Sequence, residues 1–404
     1  MAIPDLYDRR SLDDPYPLYD HLRREAPVWQ VPGTRTWLVT SWSLVAEATA
    51  RPEDFSSNLT ALLVSDADGR PAEFDMTALG TAIDVLATAD DPSHAAHRRV
   101  VFPHLVPARV AGMEGELRAL FAQLWPTRPA GARVEWMSAV ADRMPLTVVA
   151  TLIGFPADDV PQLLRWAYDG TELLSGVASL DRMVVLGESA TAHGAYLAAR
   201  FAEARSDPGP DLLGDLARAA DAGAFGDNEV MAMLVQLVGA GGESTAGLIG
   251  NAARLLAEDP VLQEVVRADP ELVVPFLEEV LRFESPFRGH YRVVRRPATL
   301  GPASLRAGDH LVLHWGAANR DPEAFDDPDR IVIDRRERHP HLAFGRGLHF
   351  CVGAPLARLE ARVAISELLA RTRSFRLDPD DAPQWVPSIF VRRHERLPLI
   401  VEAA

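Results

Sequence analysis

The residues best able to do chemistry sit in HLAFGRGLHFCVGAP, positions 341–355, around Cys351, the sole cysteine among 404 residues. Pro355 falls where the first turn of a helix would lie, and LARLEARVAISELLA (356–370) continues with apolar residues at helical spacing. A thiolate at a helix N-terminus is stabilised by free N–H groups and the helix dipole. Gly345, Gly347 and Gly353 free the backbone for unusual dihedrals and close approach to something flat. A soft sulfur on such a loop suits a haem iron. Two other readings stay open: a buried structural cysteine, or a nucleophile with His349, two residues away, as its base. One cysteine cannot supply the thiolate set of a structural zinc site.

Four further segments carry candidate groups. In QLVGAGGESTAGLIG (236–250), Gly239, Gly241 and Gly242 interrupt a helical pattern that Asp227 could cap. Each glycine costs on the order of 1 kcal/mol against Ala, which points to a tight helix crossing or a flat ligand against the backbone. Glu243, Ser244 and Thr245 add a carboxylate and two hydroxyls to that helix, where Ser and Thr can also bond back to their own turn. FLEEVLR (276–282) puts Glu279 and Arg282 on one helical face, an arrangement that on a surface is worth little. DDPSHAAHRRVV (90–101) does the same for His94 and Arg98; the alternative is an exposed polar face with His97 and Arg99 simply solvated. SPFRGHYR (285–292) reads as an approach to a strand carrying Arg292.

These segments need elements to position them. DDPYPLYDHLRREAP (13–27) reads as a short helix, PVWQV and TWLVTS as strands joined by PGTR, and 55–90 as loop with short helical pieces. Helical spacing dominates from about 93 to 284, with breaks at 154–159 and 206–211. Short antiparallel strands follow over 292–315, an irregular coil over 321–330 and strands again from 371. The expectation is one domain, 1–404, mainly α with small antiparallel sheets. Its β-rich portions lie roughly at 27–41, 285–320 and 371–404, and its helical core roughly at 93–284 and 352–370.

Composition excludes some functions. With 41 basic and 57 acidic residues the net charge is −16, which argues against a nucleic-acid binder and against adhesion to an anionic membrane. All the basic side chains are arginine. The absence of a cysteine pair, of an apolar signal core in MAIPDLYDRR and of a long apolar run favours a cytoplasmic location.

FGRGLHFCVGAPLARLE (344–360) resembles the haem-binding loop of bacterial soluble cytochrome P450 enzymes, with Phe, Gly, Gly, His, Cys, Gly, Ala and Glu at that family's spacing. The resemblance extends over nearly the whole chain. It implies the P450 fold, with haem b between a long distal helix and the helix after the Cys loop. Cys351 becomes the axial thiolate, with Phe344, Gly345 and Gly353 around it, and His94, Arg98, Arg292 and His349 hold the propionates. Glu279, Arg282 and Arg330 (from DPDRI) form a buried structural triad. Glu243, Ser244 and Thr245 deliver protons in the oxygen-binding groove. Ser244 departs from the family's usual Thr, keeping the hydroxyl but losing the methyl that stiffens its rotamer.

By family position the substrate pocket draws on 55–90, the helices around 160–200, Val238, Gly239, Phe287, Ile389 and Phe390. Strand alternation from Arg292 puts His290 and Arg288 on the same face, so that Arg288 could anchor a substrate carboxylate or lie along the wall with its head in water. The implied reaction is O2-dependent oxidation of a small, largely apolar compound. Oxidative coupling, desaturation, peroxide-driven oxidation and non-catalytic haem binding are the alternatives. Electrons come from separate proteins, by default a ferredoxin with its reductase or a flavodoxin. Arg335, Arg336, Arg338, Arg346, Arg358 and Arg362 could form a basic docking patch, or pair locally with Glu337 and Glu360.

Overall fold

The computed structural model describes residues 5–77, 83–127, 129–335 and 339–404. Its axis is the 32-residue helix Asp227–Glu258, about 48 Å long at 1.5 Å per residue. The side chains from Thr245 to Ala253 are buried all round, as in a core helix with no solvent face. Glu229 accepts from the Gly226 backbone N–H at 2.8 Å, so Gly226 is the N-cap and Asp227 the first helical residue, not the cap. The glycines mark a close crossing. A Cβ at Gly241 would come 2.5 Å from Val149 Cγ2, and one at Gly242 would come 3.2 Å from Leu146 Cδ1. Both partners belong to the helix Arg143–Ile153. Helix Val160–Glu172 packs on the same central helix, as does the Cys-loop helix Ala354–Arg371.

A five-stranded sheet flanks this bundle, in the order Val28–Gln30, Thr36–Val39, His310–Leu313, His290–Val294, Phe55–Ser56. Three of its pairings are antiparallel, but His310–Leu313 runs parallel to Thr36–Val39, so the sheet is mixed. A three-stranded sheet joins Thr372–Leu377, Pro398–Ala403 and Ala132–Glu135, the last lying within the stretch expected to be helical. The 55–90 region also differs from expectation. Ala61–Ser65 and Pro71–Asp75 form a hairpin whose turn is set by Asp66, which accepts from the N–H groups of Asp68 and Arg70, and by Gly69 at φ +79°. Leu86–Thr88 forms a 3-10 turn there.

The buried ion cluster corrects one assignment. Arg282 is fully buried and donates to both Glu279 oxygens at 2.8 Å. The third side chain is Arg335, whose Nε donates to Glu279 Oε1 at 3.0 Å. Arg330 is exposed and contributes only its carbonyl, which accepts from Arg282 Nη2 at 2.8 Å. The coil turns between 330 and 335, so the nearer arginine in sequence is not the one that faces inward. A second cluster joins distant segments at Glu284, which accepts from Arg254, Arg392 and Tyr16. Burial alone would raise its pKa, but Arg392, Arg254 and Arg320 outweigh that and hold it well below the carboxylate range.

Charged hydrogen bonds are worth about 1.5–3 kcal/mol each. Arg335→Ala should therefore lower the melting temperature by several degrees, while Arg330→Ala leaves it within about one degree. Differential scanning calorimetry of the two variants checks this, and the reverse ranking would reinstate Arg330.

Candidate active site

A cavity with roughly 1670 Å³ of atom-free space, counting the part open to solvent, lies between the central helix and the Cys loop. One wall is a single face of the central helix: Leu237, Ala240, Gly241, Ser244 and Leu248, with Gln236 and Thr245 at its edges. The opposite wall is the loop 343–353 followed by Leu356, Ala357 and Glu360 of its helix.

Cys351 lines this second wall. Its backbone N–H donates to the Phe344 carbonyl at 2.9 Å, which closes the loop. Gly345 and Gly347 sit at φ +67° and +72°, the left-handed region that favours glycine. Gly353 does not: it has φ −85° and serves as the N-cap of Ala354–Arg371. Burial raises the thiol pKa, countered in part by the N–H groups of Gly353 and Ala354 and by Arg98 and Arg358. Phe344 packs beside the loop, with the Arg358 guanidinium 4.5 Å over its ring.

His94, Arg98, Arg292 and His349 all line the same cavity. The His94 and His349 rings lie 4.2 Å apart, and neither His349 nitrogen has a partner among the described residues. Burial first, then Arg292 and His94, lowers His349 to about 3. Arg292 is buried, and among the described residues its one side-chain hydrogen bond is Nη1 donating to its own neighbour's carbonyl, Tyr291, at 2.7 Å. Burial lowers its pKa to about 10, with Asp90 the only charge that opposes the shift. Arg98 Nη1 donates to the Phe350 carbonyl at 2.9 Å. His97 is fully buried and pairs with Glu229 at 3.2 Å, which counts against the segment being simply an exposed polar face.

The three expected proton-handling residues divide. Ser244 and Thr245 reach the cavity, but Glu243 does not. One residue subtends about 100° of the helix, so Glu243 falls just past one edge of the cavity face and Val238 just past the other. Glu243 is buried and accepts from Arg393 Nε at 2.9 Å, with Arg393 also over the Tyr168 ring and 4.0 Å from Asp142. The Ser244 hydroxyl donates back to the Ala240 carbonyl at 2.8 Å.

The substrate wall also differs from expectation. Phe287 lines it; Val238, Gly239, Ile389 and Phe390 do not, although Phe390 backs Phe287 at 4.9 Å. Val149, Leu152 and Ile153 line it in place of residues from 160–200, and among the described residues of the 55–90 stretch Leu86 and Ala87 do. Arg288 points elsewhere. Its Nε donates to the Val391 carbonyl at 3.1 Å, its Nη2 to the Leu12 carbonyl, and Tyr19 is a further partner. The strand starts at His290, and Gly289 presses so close to the Leu313 carbonyl that a Cβ there would be 2.5 Å from it. Alternation therefore holds for His290 and Arg292 and stops before Arg288. His290, placed on the Arg292 face by alternation, lines the cavity, and so does Gln236, which the sequence reading did not name. Gln236 carries a detectable signal, since it lies at i−8 from Ser244 on a helix of known period.

The sequence of this chain is close to proteins of known kind. A family model described as Cytochrome P450 matches residues 202–391. Cytochrome P450 144 of Mycobacterium tuberculosis is 46% identical over 396 residues, covering 98% of this chain and 91% of that protein. The chain belongs to the cytochrome P450 family. CYP109E1 from Bacillus megaterium in complex with testosterone superposes with a TM-score of 0.84 at 29% identity, covering 98% of this chain and 99% of that one. A mutant of P450 EryK in complex with erythromycin B gives 0.85 at 30%, covering 100% and 99%. Cytochrome P450 enzymes are haem-thiolate monooxygenases, and this chain is an oxidoreductase of that class. The cavity fits such a group: an unpaired buried arginine and an orphaned imidazole ask for anions, and a buried sulfur asks for a cation.

The arginines near the loop are mostly paired. Arg335 is held by Glu279, Arg358 by Glu278 at 2.7 Å and Arg362 by Glu114 at 2.7 Å. Arg336, Glu337 and Arg338 lie outside the described residues. Glu360 pairs with none of the described arginines. Arg346 is exposed, with its guanidinium 5.4 Å over the Trp42 ring. Among the described residues, no helix is long and apolar enough to cross a membrane.

Arg288→Ala strips partners from buried carbonyls without touching the cavity. It should cost on the order of 3 kcal/mol of stability and leave ligand dissociation constants, read from ligand-induced absorption shifts, unchanged. Weakened binding at unchanged melting temperature would return Arg288 to the pocket.

Proposed function

We propose that the protein is a haem b monooxygenase that oxidises a small, largely apolar, neutral organic compound, with Cys351 as the iron ligand. The observation that carries this reading is the convergence of Cys351, Arg292, Arg98, His94 and His349 on one cavity. Haem, when bound, supplies the redox-active iron that activates O2. The chain supplies the setting. His94, Arg98, Arg292 and His349 neutralise and orient the two propionates, an arginine fork matching a carboxylate well. Gly353 and Ala354 direct their N–H groups at the sulfur and favour its anionic form, offsetting part of the burial that raises the thiol pKa. Leu86, Val149, Leu152, Leu237 and Phe287 exclude water from the substrate side. Gln236 and His290 offer neutral hydrogen-bonding groups there, His290 being lowered to about 4 by burial, then by Arg292. That wall suits a hydrocarbon framework with a hydroxyl or carbonyl, which is the chemistry of the testosterone bound to CYP109E1.

Electrons come from a ferredoxin and its reductase, or a flavodoxin, docking on the Cys-loop side in the cytoplasm. Local pairing of Arg358 and Arg362 leaves Arg346 as the free charge there among the described arginines of the patch. One observation favours a second reading. The Ser244 hydroxyl is engaged by its own helix, which weakens proton delivery and favours a peroxide-driven or non-hydroxylating outcome.

Turnover under 18O2 with a surrogate ferredoxin and reductase decides between them. One labelled oxygen per product is expected, and Cys351→Ala should abolish it. Equal or faster turnover with peroxide alone would support the second reading, and unlabelled product would overturn the first.

A further inference from the structure

Gln236 lines the active-site cavity, yet its amide is engaged by a neighbouring turn. Its Oε1 accepts from the Ala87 backbone N–H at 3.2 Å, and its Nε2 donates to the Thr88 hydroxyl at 3.1 Å. A peptide N–H can only donate, which fixes which end of the amide is the oxygen. The Thr88 hydroxyl also accepts from the Val85 N–H and donates to the Val85 carbonyl, both at 3.1 Å. That hydroxyl therefore closes the Leu86–Thr88 turn on itself, and Gln236 ties the closed turn to the central helix.

A second tie reaches the same turn. The Leu86 N–H donates to His97 Nδ1 over a long 3.4 Å, and His97 Nε2 meets Glu229 Oε1 at 3.2 Å. Glu229 precedes Gln236 by two helical turns, so both grips come from one face of the central helix. The turn needs them. Leu86 has φ +42°, in the left-handed region that a residue with a side chain seldom adopts, and Asp327 is the other such non-glycine among the described residues. A conformation of this kind persists only where its surroundings over-determine it. Leu86 and Ala87 line the cavity, and Thr88 does not. This part of the wall is thus placed by bonds from Gln236 and His97.

We infer that Gln236 is a positioning residue: it holds Leu86 and Ala87 against the cavity and so limits the bulk of the ligand admitted. The amide keeps one N–H for a polar group on the ligand. The inference rests on the reading of this cavity as the ligand site of a haem enzyme. A bulky ligand must displace the turn and break both Gln236 bonds, whereas a small one leaves them intact. Removing the bonds lowers that cost for the bulky ligand alone.

Two measurements on the haem-loaded protein test this, for wild type, Gln236→Leu, Thr88→Val and the double variant. Dissociation constants for imidazole and for tritylimidazole are read from the absorption shift each azole causes. Tritylimidazole should bind about fivefold tighter in each single variant, roughly one hydrogen bond's worth, with imidazole unchanged within about twofold. The double variant should gain no more than either single one, because both remove the same contact. Thr88 lies outside the cavity wall, so its effect reaches the ligand only through the turn. Wild-type affinities in Thr88→Val, or a double effect equal to the product of the single effects, would overturn the inference. Amide hydrogen exchange across residues 85–89, read by mass spectrometry, should quicken about tenfold in Gln236→Leu, with the helix Arg143–Ile153 unchanged. Unchanged exchange at 85–89 would overturn it even with the ligand effect present. If Gln236→Leu fails to fold, Thr88→Val carries the same two readouts. An ordinary CO spectrum in wild type would sink the haem-thiolate reading separately, leaving the exchange result as it stands.

Discussion

A half-buried sulfur at the start of a helix, facing a cavity, is the constraint on which the structure turns. Burial drives the Cys351 thiol toward its neutral form, and two backbone N–H groups and distant arginines oppose this only in part. A cation must complete the balance. Across the same cavity the charge problem is inverted: Arg292 is buried with no carboxylate bonded to it, and His349 has no partner for either nitrogen. One ligand carrying an iron on its face and two carboxylates on its edge satisfies both ends at once. Each half of the site is unsatisfied alone, which is why the haem is part of the fold's energetics as well as its chemistry.

The remaining architecture holds these two ends apart at a fixed spacing. The central helix can lie close to the helix Arg143–Ile153 only because Gly241 and Gly242 lack side chains. That crossing turns Leu237, Ala240, Ser244 and Leu248 toward the cavity and leaves Glu243 to its arginine. The Glu279–Arg282–Arg335 cluster secures the coil that leads into the Cys loop, with Arg282 donating to the carbonyls of Asn319, Pro328 and Arg330 as well. Stability near the loop is thus bound to polar contacts that only form when the coil is in place.

The Cys loop, the convergence of His94, Arg98, Arg292 and His349 on one cavity and the helical core were legible in the sequence, because each depends on local spacing. His94 and Arg98 share a face by helical period, and His290 and Arg292 by strand period. What was not legible depends on where a period ends or which way an aperiodic segment turns. Arg288 lies two residues before His290 but outside the strand, so alternation gave the wrong side. Arg330 and Arg335 belong to a coil with no period, and only the three-dimensional path selects Arg335. Glu243 was correctly placed on the central helix, yet a rotation of one position separates facing the cavity from facing Arg393. Glu360 was visible as part of the loop pattern, but its isolation from every cation could be seen only in the folded chain.

The central claim is that Cys351 binds iron as a thiolate in this cavity. The most direct measurement is the absorption spectrum of the reduced, CO-saturated protein, for wild type and for Cys351→His. The account predicts a strongly red-shifted Soret band in wild type, replaced in the variant by the ordinary band of histidine-ligated haem. A wild-type band at the ordinary position, or a red-shifted band that survives the substitution, would contradict it.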